Sequence, residues 1–267
     1  MVAETLAFVR QDFLTQTSYK VRTVFAFLSL VIMVVPIYFV SNALQPLMAE
    51  SIRGQGGEYF GFLIVGLAAQ RIMNAAVMIL PQNTNAGIRT GTLEALFATP
   101  VALPTLMTGM MSYRILWSLA EATTIVAVGI LMGADFDITR IPAAMLIVAL
   151  IVLSYIPFGI LGAAAVLMFR TTGPLTTIVT VSSVLLGGVY YPTKVIPSWI
   201  ESFSTVIPLT YGLRALRRTA LDGASWGAIS GDLLVLIGFA VGLIGISVVV
   251  FHQALRYARR SGSLGHY

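Results

Sequence analysis

The stretch VRTVFAFLSLVIMVVPIYFVSNALQPL, residues 21–47, contains Arg22 as its one charged side chain. A helix needs roughly 20 apolar residues to cross a bilayer, so this stretch predicts a membrane span. Pro36 lies inside it and predicts a kink, which membrane helices tolerate. Of the 267 residues, 57% are hydrophobic and only 10% are charged, against about 25% in soluble domains. The composition, with a mean hydropathy of +0.89, predicts a protein whose solvent is the lipid bilayer.

Apolar stretches of similar length recur along the whole chain and leave almost nothing for a soluble domain. We predict an all-α membrane protein with six transmembrane helices, at about 21–47, 59–80, 104–133, 142–169, 175–190 and 233–254. Pro81 and the following QNTNAG predict the end of the second span, and Pro157 with Gly159 predicts a break in the fourth.

Polar segments lie at the start of the chain and before its last span. Residues 1–22 place Leu6, Val9 and Phe13 in one stripe, which predicts an amphipathic interface helix. They lack an early apolar core, so we expect no cleavable signal peptide. Residues 191–228 are half polar and broken by prolines. They fit either an ordinary outer loop or a re-entrant outer segment, which needs protein or water to satisfy its backbone.

Several function classes lose support on composition alone. The chain has no cysteine, and its two histidines, His252 and His266, are too far apart for a metal pair on one helix, so we expect no metal site. A phosphate-binding P-loop ends in Lys-Ser or Lys-Thr, but both lysines, Lys20 and Lys194, precede valine. The net charge of +5 comes without a basic run interleaved with aromatics, so we expect no nucleic-acid partner.

The loop between the second and third spans contains GTLEALFATP, residues 91–100. Gly91 stands at the N-cap position and Glu94 at the return position of a half-present capping box. Leu93, Leu96 and Phe97 share one apolar face by their helical spacing, and Pro100 ends the helix. This face could lie on lipid headgroups or dock in a groove of a soluble partner, and the residues alone leave both open.

Four stretches together resemble the ABC-2 type permeases, which are the membrane subunits of a class of ABC transporters. They are IRTGTLEALFATP at 88–100, YFGFLIVGLA at 59–68, LLGGVYYPTKVIPSWI at 185–200 and IPLTYGLRALRRTAL at 207–221. The resemblance covers essentially the whole chain, so we expect 1–267 to form a single transmembrane domain.

The resemblance implies a mechanism in which two permease subunits, identical or related, enclose a pathway. Separate ABC ATPase subunits would bind ATP and Mg, and this chain would bind no cofactor of its own. The resemblance assigns residues 91–100 as the coupling helix, with contacts from Arg89, Gly91, Thr92, Leu93, Glu94, Leu96 and Phe97. In this family the residues that precede the motif are usually rich in acidic and basic side chains. Here the preceding stretch QNTNAGIRT contains only Arg89, so charge pairing with the ATPase is weaker or rests on Arg89 and Glu94.

Basic residues outside 191–228 concentrate on the side that holds both termini in a six-span arrangement. The positive-inside rule therefore places both termini and the 91–100 loop in the cytoplasm. With the resemblance, this predicts a multi-pass protein of a bacterial inner membrane, surrounded by membrane lipids.

Polar residues inside predicted spans are candidate pathway residues because burying charge in lipid is costly. They are Gln70, Arg71, Asn74, Arg114 and Glu121. We hypothesise that Arg71 and Glu121 form an ion pair between neighbouring helices, and that Arg114 reaches the inner headgroups. The outer gate candidates are Tyr190, Tyr191, Trp199, Arg214, Arg217 and Arg218, whose arginines could contact lipid phosphates or extend along the membrane surface.

Two other function classes are alternatives to an ABC permease. A self-sufficient secondary transporter or channel would need an intramembrane carboxylate, and Glu121 is the candidate. An intramembrane enzyme is disfavoured because no span holds two carboxylates and His252 stands alone at a span end, so we assign no catalytic residue. The substrate class is open among polysaccharides, lipids, drugs and peptides, with a preference for a small amphipathic or lipid-like molecule.

Overall fold

The computed structural model describes residues 20–92, 103–169, 171 and 174–260. All regular elements in these ranges are helical, which confirms the all-α prediction. The α-helices are α1 Lys20–Met48, α2 Tyr59–Arg89, α3 Leu103–Leu131, α4 Ile141–Phe169, α5 Pro174–Leu186, α6 Ser198–Ser204, α7 Pro208–Ala220 and α8 Trp226–Arg260. Two short 3-10 helices, Ile138–Arg140 and Thr193–Val195, lie between them.

Five of the described helices, α1, α2, α3, α4 and α8, are long and apolar enough to cross a membrane. The fifth predicted span appears as α5, which has 13 residues. At 1.5 Å per residue α5 is about 20 Å long, against a hydrocarbon core of about 30 Å. The predicted count of six full spans is therefore not confirmed, because the chain leaves helical geometry at Leu186 and turns through glycines.

The long helices run alternately, so that their termini collect at two ends of a bundle. The lower end is where α1 begins, α2 ends, α3 begins, and α4 and α8 end. There Leu80, Met111, Leu167 and Ala258 belong to one buried cluster. The upper end is the opposite one, where Leu30 and Val34 of α1 share a second buried cluster with Phe60 of α2 and Ala134. Lys20 and Arg260, the outermost described residues, thus belong to helix ends on the same side.

Two predicted helix boundaries are wrong. α2 continues through Pro81 to Arg89 because packing compensates for the proline: its ring lies against Gly162 of α4 and the neighbouring Thr84 is buried. α4 likewise continues through Pro157 and Gly159 to Phe169. A Cβ on Gly159 would lie 2.5 Å from a carbonyl of α2, so this glycine permits close helix packing instead of a break.

The segment 191–228 packs into the upper half of the bundle through α7. At the start of α7, the backbone N–H of Leu209 donates a hydrogen bond to the hydroxyl of Tyr155 in α4. Farther along α7, a Cβ added to Gly212 would touch Ile151, which lies one turn nearer the upper end of α4. Ala220, at the end of α7, accepts a hydrogen bond from the backbone N–H of Asp137 in the α3–α4 connection. Helix α7 therefore lies antiparallel to the first half of α4 and is enclosed by protein on several sides.

Candidate functional site

Arg217 of α7 is the largest of the fully buried side chains, with 2% of its surface exposed. Its guanidinium donates to the carbonyl oxygen of Phe62 in α2 and to those of Gly188 and Val189, just after α5, at 2.8–3.2 Å. It also lies 3.3 Å from the centre of the Phe62 ring. One side chain thus links α7, α2 and the turn after α5 in the upper half of the bundle.

This geometry corrects the sequence interpretation of Arg217, which was expected to face lipid phosphates or extend along the surface. The guanidinium points inward because α2 comes close at Gly66, where a Cβ would collide with the Val189 carbonyl. That approach leaves carbonyl groups in need of donors, and an arginine supplies five in a fixed plane. The other two arginines of α7 also have partners within the protein.

Arg214 and Arg218 connect α7 to α8. Arg214 forms an ion pair with Asp232, with its Nη2 2.7 Å from the carboxylate and its Nε 3.0 Å away. Arg218 donates to the backbone carbonyl of Ala228 at 3.0 Å. Both residues therefore hold the return of the chain into α8, where the sequence had suggested lipid contacts.

The predicted aromatic gate residues do not behave alike. Tyr191 donates to the Leu185 carbonyl at 2.6 Å and closes the turn after α5. The hydroxyl of Tyr190 lies 3.4 Å from the side-chain oxygen of Gln70, so the structure brings this residue next to the polar positions of α2. Trp199, on α6, is 70% exposed, which suits the interfacial position predicted for it.

The polar residues of α2 divide between two directions. Gln70 faces Tyr190, whereas Arg71 extends towards α1 and reaches the sulfur of Met33 at 3.9 Å, a weak acceptor. The side-chain oxygen of Asn74 is buried and has no hydrogen-bond partner among the described residues. Gln70 is thus a polar contact between α2 and the segment that follows α5, and Asn74 lies one turn farther along the same face of α2.

The predicted ion pair between Arg71 and Glu121 is wrong. Glu121 accepts a hydrogen bond from the indole Nε1 of Trp117, one turn earlier on α3, at 2.7 Å. Glu121 thus has a local partner on its own helix, whereas the guanidinium of Arg71 contacts Met33 of α1. Arg114 and Glu121 line a cavity between α1, α2 and α3, away from the 191–228 segment.

The predicted coupling helix begins at the edge of the described region. Arg89 is exposed at the end of α2, and the Thr90 and Thr92 hydroxyls lie 2.8 Å apart. Gly91 adopts φ +69°, a left-handed conformation that favours glycine. The remaining coupling positions, Leu93, Glu94, Leu96 and Phe97, lie outside the described residues, as does the interface helix up to residue 19.

Sequence reasoning missed two acidic residues that organise the upper end. Asp232 is 9% exposed and received no role, although an acidic residue in an apolar span is itself a signal that a basic partner lies nearby. Asp137 precedes a 3-10 helix and caps it, accepting hydrogen bonds from the backbone and side chain of Thr139. The side-chain hydrogen bond from Thr139, with the nearby Arg140, holds the pKa of the Asp137 carboxyl below its usual value.

The sequence profile described as ABC-2 type transporter matches residues 3–221, well over half of the chain. The chain belongs to the ABC-2 type transporter family. No curated protein matches it.

Membership in the ABC-2 family makes this chain a membrane permease of a transport family. The match runs from before α1 to the end of α7, so it includes both the 91–100 motif and the arginines of the upper end. Permeases of this family are not themselves ATPases and normally work with ABC ATPase subunits. Five apolar helices of spanning length agree with a multi-pass membrane protein.

Proposed function

We propose that this chain is the permease subunit of an ATP-binding-cassette exporter and that it forms the translocation pathway as a dimer. The observation that carries the proposal is the ABC-2 family match across residues 3–221, in a chain built of apolar spanning helices. Separate ATPase subunits would bind ATP and Mg, because neither lysine of this chain can complete a P-loop. The partner permease would be a second copy or a related chain, in a bacterial inner membrane.

Residues 91–100 are the proposed coupling helix. The described part supports an abrupt change of direction there, since α2 ends at Arg89 and Gly91 takes a left-handed conformation. The apolar face of Leu93, Leu96 and Phe97 would enter a groove of the ATPase, with Glu94 and Arg89 as polar contacts.

The lower end is the proposed cytoplasmic side. The start of α1 and the end of α8 both lie there, which agrees with cytoplasmic termini and an even number of crossings. Helix α5 would serve as the sixth, short crossing, completed by the 191–228 segment acting as a re-entrant gate. Its support is that Arg217 and the α7 packing satisfy buried backbone groups with protein partners, as a lipid-embedded segment requires.

The substrate pathway would pass beside the polar surface formed by Gln70 and Asn74 of α2 and by Tyr190. Gln70 and Tyr190 are in contact, so a movement of the proposed gate would be transmitted directly to the middle of α2. A small amphipathic or lipid-like molecule remains the proposed substrate class.

Co-purification tests the proposal. The tagged chain is expressed with the ATPase encoded beside it, and the nucleotide-binding subunit retained on the tag is quantified. Glu94→Ala combined with Phe97→Ala should abolish retention, while Arg53→Ala, in the exposed loop before α2, should leave it unchanged. The native chain failing to bind any ATPase would contradict the proposal.

That negative outcome would direct attention to the secondary-transporter alternative, which relies on Glu121. The family match does not favour that alternative. It would require Glu121→Gln to abolish proton-coupled transport by the chain alone, in proteoliposomes without nucleotide.

A further inference from the structure

A polar cavity of about 380 Å³ lies between α1, α2 and α3 near the lower end. Among the described residues, its charged lining consists of Arg22 from the first turn of α1, and Arg114 and Glu121 from α3. Asn83 of α2 supplies an amide and donates to the Met110 carbonyl at 3.2 Å. Such a concentration of charge is unusual between helices of a membrane protein, where ionisable side chains mark functional sites by default.

Within the part of the chain that the structure describes, the two arginines of this cavity have no ion-pair partner. Among residues 20–92, 103–169, 171 and 174–260, neither Arg22 nor Arg114 forms an ion pair or a hydrogen bond, and both are exposed to the cavity side. This contrasts with Arg214, which forms an ion pair with Asp232, and with Arg217, whose guanidinium donates to backbone carbonyls. The donors of Arg22 and Arg114 are thus free to bind a group that the described residues do not supply.

The third charged group, Glu121, does not neutralise them. It lies two helical turns beyond Arg114, about 10 Å along α3, and is held by Trp117. Trp117 is itself fixed by ring contacts with Phe27 of α1, at 5.3 Å between centroids, and with Tyr113. The cavity therefore has a cationic mouth, an aromatic wall and a carboxylate at its far end.

We propose that this cavity binds a phosphate group, with Arg22 and Arg114 as its ligands from two different helices. Guanidinium groups match phosphate oxygens with paired hydrogen bonds, and a site lined by two arginines and one carboxylate keeps a net positive charge. The cavity volume fits a glycerophosphate-sized group. The phosphate comes either from the headgroup of an acidic phospholipid beside the bundle or from a soluble phosphate ester. The site lies within one chain and needs neither the ATPase nor a dimer partner.

Binding is measured on the purified full-length chain in detergent by native mass spectrometry, with phosphatidylglycerol titrated against phosphatidylcholine. Arg22→Gln and Arg114→Gln should each weaken phosphatidylglycerol binding about tenfold, the ratio that a charge-assisted hydrogen bond supplies. Arg53→Gln removes the same charge at the opposite end of the bundle and should change binding less than twofold. Arg114→Lys keeps the charge and provides a folded comparison in case Arg114→Gln is unstable.

Competition with glycerol 3-phosphate distinguishes the two sources of phosphate. Displacement of bound lipid by millimolar glycerol 3-phosphate assigns the site to a soluble ester, and its failure to displace assigns it to the lipid headgroup; both support the phosphate site. Glu121→Gln should leave binding unchanged or tighter because it removes a repelling charge. The proposal is overturned if Arg22→Gln and Arg114→Gln bind phosphatidylglycerol as Arg53→Gln does. It is also overturned if Glu121→Gln abolishes binding, which would indicate a cationic ligand.

Discussion

At the scale of single residues, Arg217 shows how a charge can be buried without an acidic partner. Its donors meet three carbonyl oxygens and its guanidinium lies over the Phe62 ring, so the cost of burial is offset by hydrogen bonds and a cation–π contact. Nothing in the local sequence distinguishes it from Arg214 and Arg218, which end in partly exposed positions. Its direction is set by the approach of α2, which no short window of sequence reveals.

Replacing Arg217 tests this account. Arg217→Ala should destabilise the chain by about 3 kcal/mol or more, because it leaves buried carbonyls unpaired and creates a cavity. Arg217→Met keeps most of the volume and should lose less. Both are measured as the midpoint of thermal unfolding in detergent, with Arg218→Ala as the control, since that residue makes one hydrogen bond near the surface. Equal stability of the Arg217→Ala and Arg218→Ala proteins would refute the account.

Asp137 gives a pH prediction. Its pKa is lowered in the folded chain, chiefly by the hydrogen bond from the Thr139 side chain, so its stabilising effect is present above the ordinary aspartate pKa. That effect is lost as the pH falls through the lower, folded value. Asp137→Asn retains an acceptor for Thr139 without a titrating group. Between pH 6 and 3 the native chain should lose more thermal stability than Asp137→Asn, and parallel losses would show that Asp137 does not contribute.

At the scale of helices, close approach at small residues decides how the elements pack. The sequence predicted most of the long helices because apolar length is a local property. It misplaced the end of α2 and the break in α4, because the packing of Pro81 and Gly159 against neighbouring helices compensates for local signals. It also could not predict that α5 stops at Leu186, since LLGGVYY reads as continuous apolar sequence. For the candidate site, residue types were predictable, but their partners were not.

Two glycines of spanning helices provide a matched pair. A Cβ on Gly66 would collide with the Val189 carbonyl and lie 2.9 Å from an Arg217 nitrogen, whereas a Cβ on Gly238 of α8 meets open space. Gly66→Ala should therefore destabilise by about 1–3 kcal/mol through overpacking. Gly238→Ala should be neutral or stabilising by up to about 1 kcal/mol, because alanine favours helix. The midpoints of thermal unfolding of the two variants test this prediction. A Gly66→Ala protein more stable than the Gly238→Ala protein would mean that α2 does not approach the turn after α5 so closely.

At the scale of the whole molecule, the absence of cysteine makes the packing of α7 on α4 open to cross-linking without background. A Cβ on Gly212 would lie 3.9 Å from the Cβ of Ile151, which is within disulfide range. If the 191–228 segment moves during transport, Gly212→Cys combined with Ile151→Cys should reduce the ATPase activity of the reconstituted complex on oxidation. Reduction should restore it, and each single variant is a control. Full activity with a quantitative cross-link would show that α7 and α4 move as one body.

The carbonyl ligands of Arg217 also bear on how the chain is made. Phe62, Gly188 and Val189 all precede Arg217 in the sequence and therefore leave the ribosome first. An arginine entering hydrocarbon alone costs roughly 2.5–3.5 kcal/mol on insertion scales. Here the three acceptor residues are already synthesised when Arg217 is added. Helix α7 can therefore dock into the upper half on a set of carbonyl groups that α2 and the turn after α5 already present.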